Sequence, residues 1–266
     1  MRRGVPAVLA LCCGCRIGFD IADDAGHIKP QSVDAAPFVD SPPGSGSYTL
    51  VDLDAPYVGL GDVPPIEGFV AGADDENYTL ALPFSFDFYR VRYDMLTINV
   101  NGYVTFTTPA TDLEASTNDC SFNATQPDAM IALFWDDLFA SAEVTPYGTI
   151  VTTTAGTAPD RTFTIEWRDM DTWYAQGGSF WSTSMRATQQ LVLHEDGEIE
   201  LHYGPRSGGS KDRDCGLDRH RGCSATIGLE GAGGAPVHLV QCGTEAGPMT
   251  GYTPLDEGRL LRFTPD

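Results

Sequence analysis

The sequence predicts an all-β fold, an antiparallel β-sandwich with a flexible N-terminal tether. From Tyr48 onward, apolar residues recur at every second position, the repeat of a strand with one buried face. The runs are short, and Gly, Pro, Asn and Asp separate them at close intervals, as in sandwiches. No run longer than about ten residues carries a helical period.

Residues 1–15 read as an export signal. Arg2 and Arg3 supply the positive start, and VPAVLALCC supplies the apolar stretch. At roughly 10 residues it is too short to span a bilayer, which takes about 20. Leu11 and the Gly14-Cys15 pair resemble the lipobox of bacterial lipoproteins, which implies a diacylglyceryl group on Cys15. Arg16, rather than Asp, follows the cysteine; by analogy with lipoprotein sorting this favours the outer membrane or cell surface. Residues 16–47 are rich in Asp, Pro, Ser and Gly, without a period, and read as the tether.

Residues 48–266 are the expected sandwich. YTLVDL opens it. YTLALPFSFDFYRVRY then alternates over a long run, with Leu80, Leu82, Phe84, Phe86 and Phe88 on one face. LTINVNGYVTFT contains Asn101-Gly102, the dipeptide of a two-residue type I′ hairpin turn. Ile98 and Val100 lead into it, and Val104 and Phe106 lead out. Eight later strands are expected in AMIALFW, GTIVTTTA, RTFTIEWRDM, ATQQLVLHE, EIELHYG, SATIGLEG, PVHLVQC and GRLLRFTP.

Charge narrows the partners. The chain carries a formal net charge of -21 and has only two lysines, Lys29 and Lys211. Such a surface repels phosphate backbones, so nucleic acid is not an expected partner. Beyond the export signal lie Cys120, Cys215, Cys223 and Cys242, an even set that fits two disulfides in an oxidising compartment. Four cysteines allow three pairings. Cys215–Cys223 as a short clasp with Cys120–Cys242 as a long tie is preferred here. The four lack the CxxC spacing of a zinc site.

In order along the chain, LPFSFDFYRVRYDMLTINVNGYVTF, IALFWDDL, RTFTIEWRDM, LVLHEDGEIELHYG and SATIGLEG resemble the nidogen-like β domain of extracellular proteins and of bacterial secreted proteins and lipoproteins. The resemblance covers roughly residues 78–231. It implies an extracellular all-β module used in adhesion or matrix contact, with no catalytic centre. The Cys-containing segment 207–223 departs from that pattern and looks inserted.

The candidate site residues carry competing readings. In ALFWDDL, strand alternation puts Ile131, Leu133 and Trp135 on one face, and Ala132, Phe134 and Asp136 on the other. Asp136 and Asp137 then diverge, which suits strand capping better than shared acid–base chemistry; a cation such as Ca2+ on one of them is the alternative. A two-residue turn at Asp196-Gly197 sets His194 opposite Ile199 and His202 opposite Leu191, on different faces, so the two histidines are not expected to share a metal. KDRDCGLDRHRGC sets Asp212, Asp214 and Asp218 at calcium-loop-like spacing, but Lys211, Arg213, Arg219 and Arg221 oppose a cation. A disulfide-closed surface loop with local ion pairs, solvated around His220, is expected. Trp173, Tyr174, Phe180 and Trp181 flank Gly177-Gly178 and either close the core or form a binding platform.

No GxSxG, HExxH, P-loop or dinucleotide fingerprint occurs. The functional expectation is a non-catalytic, lipid-anchored surface protein whose sandwich mediates adhesion or binds protein or glycan, with no cofactor. The alternative is an exported hydrolase or carbohydrate-binding module working through the aromatic loop 173–181.

Overall fold

The computed structural model describes residues 46–107, 118, 127–143, 145–176, 179–182, 185–208, 219–244, 247–250 and 252–266; of 174–182 and 244–250 only the backbone is described. The export signal, Cys15 and the tether lie outside these residues.

Two antiparallel sheets face each other. The first runs in the order β1 (Tyr48–Asp54), β15 (Arg259–Pro265), β11 (Ile199–Ser207), β10 (Arg186–His194), β8 (Thr162–Gln176), β6 (Leu138–Phe139). Two further strands, β7 (Thr149–Ala155) and β9 (Ser179–Ser182), also pair with β8. The second sheet runs β14 (Gly247–Thr250), β13 (Val237–Thr244), β12 (Thr226–Glu230), β5 (Met130–Trp135), β4 (Tyr103–Thr105), β3 (Val91–Asn99), β2 (Asn77–Phe88). Among the described residues the only helical piece is a 3₁₀ turn, Arg219–Arg221. Every expected strand is present, because period-two burial depends only on near neighbours in the chain. Three short edge strands, β6, β9 and β14, carry no apolar alternation and were not foreseen.

The inward faces bury Phe86, Ile98, Leu133, Ile165, Leu191, Leu201 and Phe263, all at 0% exposure. Each such side chain contributes about 1.5–3 kcal/mol relative to an exposed one. Two buried polar atoms tie the sheets directly. The Trp167 indole Nε1–H donates to Asn99 O at 3.0 Å, and the Tyr203 hydroxyl donates to Leu133 O at 2.9 Å. Both aromatics thereby fill the core without an orphaned donor.

The turns correct three expectations. The run from Tyr78 to Tyr93 is two strands, broken at Tyr89-Arg90, where Phe88 pairs with Val91. Both turn residues sit at positive φ, 47° and 63°, as a type I′ turn requires, although neither is Gly or Asn. The buried Tyr89 ring stands edge-on to Tyr48 at 5.0 Å, a contact that holds the turn.

The two Xaa-Gly dipeptides, by contrast, end three-residue loops. Asn99 pairs with Tyr103, and Gly102 alone has positive φ, 79°. His194 N–H donates to Glu198 O at 3.0 Å, and Gly197 has φ 94°. Each loop is one residue longer than a type I′ turn, so each returning strand is flipped over. Ile98 thus meets Val104, and Leu193 meets Ile199, apolar against apolar. His194, Glu198, Glu200 and His202 consequently share the outer face of the first sheet, contrary to the expectation that the histidines part.

A bulge makes the third correction. Leu133 and Phe134 both donate their N–H to Gly102 O, at 3.2 and 3.0 Å. Two residues opposite one shift the alternation. Phe134 turns into the main core with Ile131 and Leu133, while Trp135 joins Tyr103, Met130 and Ala132 in a separate cluster.

Candidate functional site

The two adjacent acids after Trp135 part company. Asp136 is fully buried. Its Oδ1 lies 3.4 Å from Arg219 Nη1 and accepts the Asp137 N–H at 3.0 Å, and its Oδ2 accepts the Ser224 hydroxyl. Arg219 is itself 0% exposed, which overturns the expectation of solvated charge around His220. Its partner is distant in sequence, not local. Ser224 and Asp136 are both sealed from solvent.

Asp137 points the other way, toward Asp74 and Asp75. One oxygen from each of the three carboxylates falls within 4.8 Å of the others. The strap leading into β2 brings Asp74 and Asp75 there. Gly72 N donates to Ala140 O, and Ala140 N returns to Ala73 O, both at 2.7 Å. Asn101 Nδ2 holds Asp75 Oδ1 at 2.8 Å, while its own Oδ1 accepts Leu138 N–H at 2.7 Å. Asn99 Nδ2 adds a bond to Asp75 O at 3.2 Å. The Asn99-Val-Asn-Gly loop is therefore a scaffold for the acidic end as well as a turn. Burial, then the neighbouring Asp75, pushes the Asp74 carboxyl up to about 6, and a hydrogen bond from Trp173 opposes that rise. Three clustered carboxylates are suited to a hard cation of the calcium type.

Trp173 stacks on Phe139, with ring centroids 4.1 Å apart and planes 12° from parallel. It is thus half-buried at the acidic end. Tyr174 pairs with Trp181 and Ala175 with Phe180 across β8 and β9, so all four aromatics lie on one hairpin. Cys223 and Cys242 are buried, at 2% and 3% exposure. Cys120, Cys215, Asp212, Asp214 and Asp218 lie outside the described residues, and the cysteine pairing with them.

Sequence reasoning missed Asp74, Asp75, Asn99, Asn101, Arg219 and Ser224. The Ala-Asp-Asp-Glu run at 73–76 and the doubled Asn at 99 and 101 were the available signals.

One more buried acid lies on β12. Glu230 is 1% exposed, and its Oε1 has no hydrogen-bond partner among the described residues. Burial, then the Asp128 carboxylate, pushes it from 4.5 up to about 8. The folded state holds a proton that the unfolded chain releases near 4.5. This stabilisation is full below that value and is lost as pH rises through about 8. The urea midpoint is expected to fall steadily from pH 5 to 9 along this limb, and Glu230→Gln should flatten the fall. An unchanged slope in the variant would remove the assignment.

The profile of the NIDO-related family matches residues 47–265. The chain belongs to the NIDO-related family. Its NIDO-related domain reaches well beyond the 78–231 stretch that carried the resemblance, and the fold shows why. Tyr48 pairs with Pro265 and Asp54 with Arg259, so the two ends of the domain close the first sheet together. No curated protein and no solved structure matches the chain significantly.

Proposed function

We propose that this protein is a non-catalytic, exported binding module, anchored to the cell envelope by lipid on Cys15, which engages a protein or glycan partner. Membership of the NIDO-related family supports an extracellular binding-type domain. The observation that carries the choice of surface is the hairpin of β8 and β9. The end of β8, Trp173–Gln176, runs on past its partners β7 and β10 and pairs with β9. Trp173, at the base of that hairpin, adjoins the acidic end through its hydrogen bond to Asp74. Large rings beside a short loop offer stacking area for sugars or an anchor for a protein surface. The several acyl chains of a lipidated cysteine would hold the module at the membrane stably, where one chain would not.

The test combines fractionation with binding. Cys15→Ser should move the protein from the membrane to the soluble fraction. On glycan arrays and in pull-downs from envelope extracts, Trp181→Ala should weaken retention about tenfold, the scale of one interface anchor. A membrane-bound Cys15→Ser variant would remove the anchor. Retention indifferent to Trp181→Ala and Trp173→Ala would remove the platform.

A further inference from the structure

We infer that the outer face of the β10–β11 hairpin is a binding site for a divalent transition metal, zinc by ligand type, with His194, His202, Glu198 and Glu200 as donors. The three-residue loop makes this possible. It sets His194 opposite Glu198, and strand alternation then brings Glu198, Glu200 and His202 up on the same face. The site is independent of the acidic end and of the aromatic hairpin.

The spacing suits a small ion. His202 Nε2 lies 2.8 Å from Glu200 Oε2, and His194 Nε2 lies 3.6 Å from the same oxygen. One donor atom each of His194, Glu198 and Glu200 falls within 4.8 Å of the others. In a tetrahedral zinc site with bonds of about 2.0–2.1 Å, donors stand roughly 3.3 Å apart. His202 stands outside that three-residue group and reaches it through the Glu200 carboxylate, so gathering all four donors on one ion takes side-chain movements of about 1 Å or more. His194 Nε2 is shielded from solvent and has no hydrogen-bond partner among the described residues.

Arg262 orients the site. Its Nε and Nη2 take Glu200 Oε1 at 2.8 and 2.6 Å, leaving Oε2 turned to both imidazoles. Thr264 donates its hydroxyl to Glu198 Oε2 at 3.1 Å. Carboxylates held from behind are characteristic of metal sites with a built outer shell. The same guanidinium lies 3.4 Å from Glu198 Oε1, and its charge lowers affinity for a cation. The donor set distinguishes this face from the acidic end: oxygens alone suit calcium, whereas two imidazoles with carboxylates select zinc, copper or nickel. The histidine side chains are 28% and 20% exposed, so an ion reaches them without opening the core.

The full-length protein, stripped with chelator, is titrated with Zn2+ against a chromogenic competitor and with Co2+ by visible absorption. One saturable site per chain with a Kd of about 10 μM or tighter is expected, together with cobalt ligand-field bands. Zinc should also raise the melting temperature. His194→Asn with His202→Asn should weaken binding more than about 100-fold, beyond the 10–100-fold effect of an outer-shell change. His27→Asn should leave binding unchanged. The paired variant keeps the Glu200–Arg262 bridge, and its metal-free melting temperature reports on folding. If it fails to fold, Glu198→Gln serves in its place and should weaken binding about tenfold. No saturable binding at 100-fold excess over 10 μM free zinc, or wild-type affinity in the variants, would overturn the site.

Discussion

Asp136→Ala is expected to destabilise the protein by about 3–5 kcal/mol, the cost of stranding one member of a buried ion pair. Both Asp136 and Arg219 are 0% exposed, so the guanidinium cannot recover its lost partner from water. The substitution also removes the acceptor for the Asp137 N–H and the Ser224 hydroxyl. Each unsatisfied buried donor adds about 1–3 kcal/mol. Asp136→Asn keeps the shape and one acceptor oxygen, so it should cost less than Asp136→Ala while still withdrawing the charge that faces Arg219. Replacing both partners, Asp136→Leu with Arg219→Met, should cost less than the two single changes added together, since no charge is then left unpaired. Urea unfolding of the wild type, the four single variants and the double variant checks this. An Asp136→Ala variant within 1 kcal/mol of wild type would mean that the pair does not hold the end of β5 to the 3₁₀ turn.

Gly102→Ala should cost about 3 kcal/mol or more. The φ of 79° alone costs an L residue about 1–2 kcal/mol. A Cβ would also stand 2.1 Å from Phe134 O and 2.8 Å from its carbonyl carbon, both backbone atoms of the bulge. Neither can rotate away, so β5 must move. Gly197→Ala is the matched control: φ is again positive, at 94°, but the nearest atom is Pro265 Cγ at 3.4 Å. It should show the backbone cost only, about 1 kcal/mol. The difference between the two variants in chemical denaturation isolates the steric part. Equal losses would show that the bulge yields.

These two glycines also mark how far local pattern reaches. Asn101-Gly102 and Asp196-Gly197 announced their hairpins correctly. The loop lengths were misread by one residue, yet the information was present. A two-residue turn would have set Ile98 against Thr105 and Leu193 against Glu200. Only the three-residue loop matches apolar to apolar. Requiring cross-strand agreement, and not the dipeptide alone, would have found the register and with it the shared face of His194 and His202. The Tyr89-Arg90 turn had no such signal. Its positive φ values are stabilised by contacts such as Tyr48, brought from 41 residues earlier in the chain.

The acidic end was harder still. Asp137 was singled out, but its neighbours Asp74 and Asp75 arrive by way of the strap, and Arg219 reaches Asp136 across 83 residues. Nothing in either segment alone names the other. Burial at the end of β5 also reversed the natural reading of Arg219, whose setting of Asp, His and Arg looks like solvated surface.

By itself, the amino-acid order determined that this chain is an antiparallel sandwich and where its longer strands run. Those properties follow from alternation and composition, which a residue shares with its immediate neighbours. Tertiary structure alone decided which acids meet and which arginine is buried. Strand register and long-range closure set those contacts, and a shift of one residue in a loop is enough to move every side chain beyond it to the opposite face.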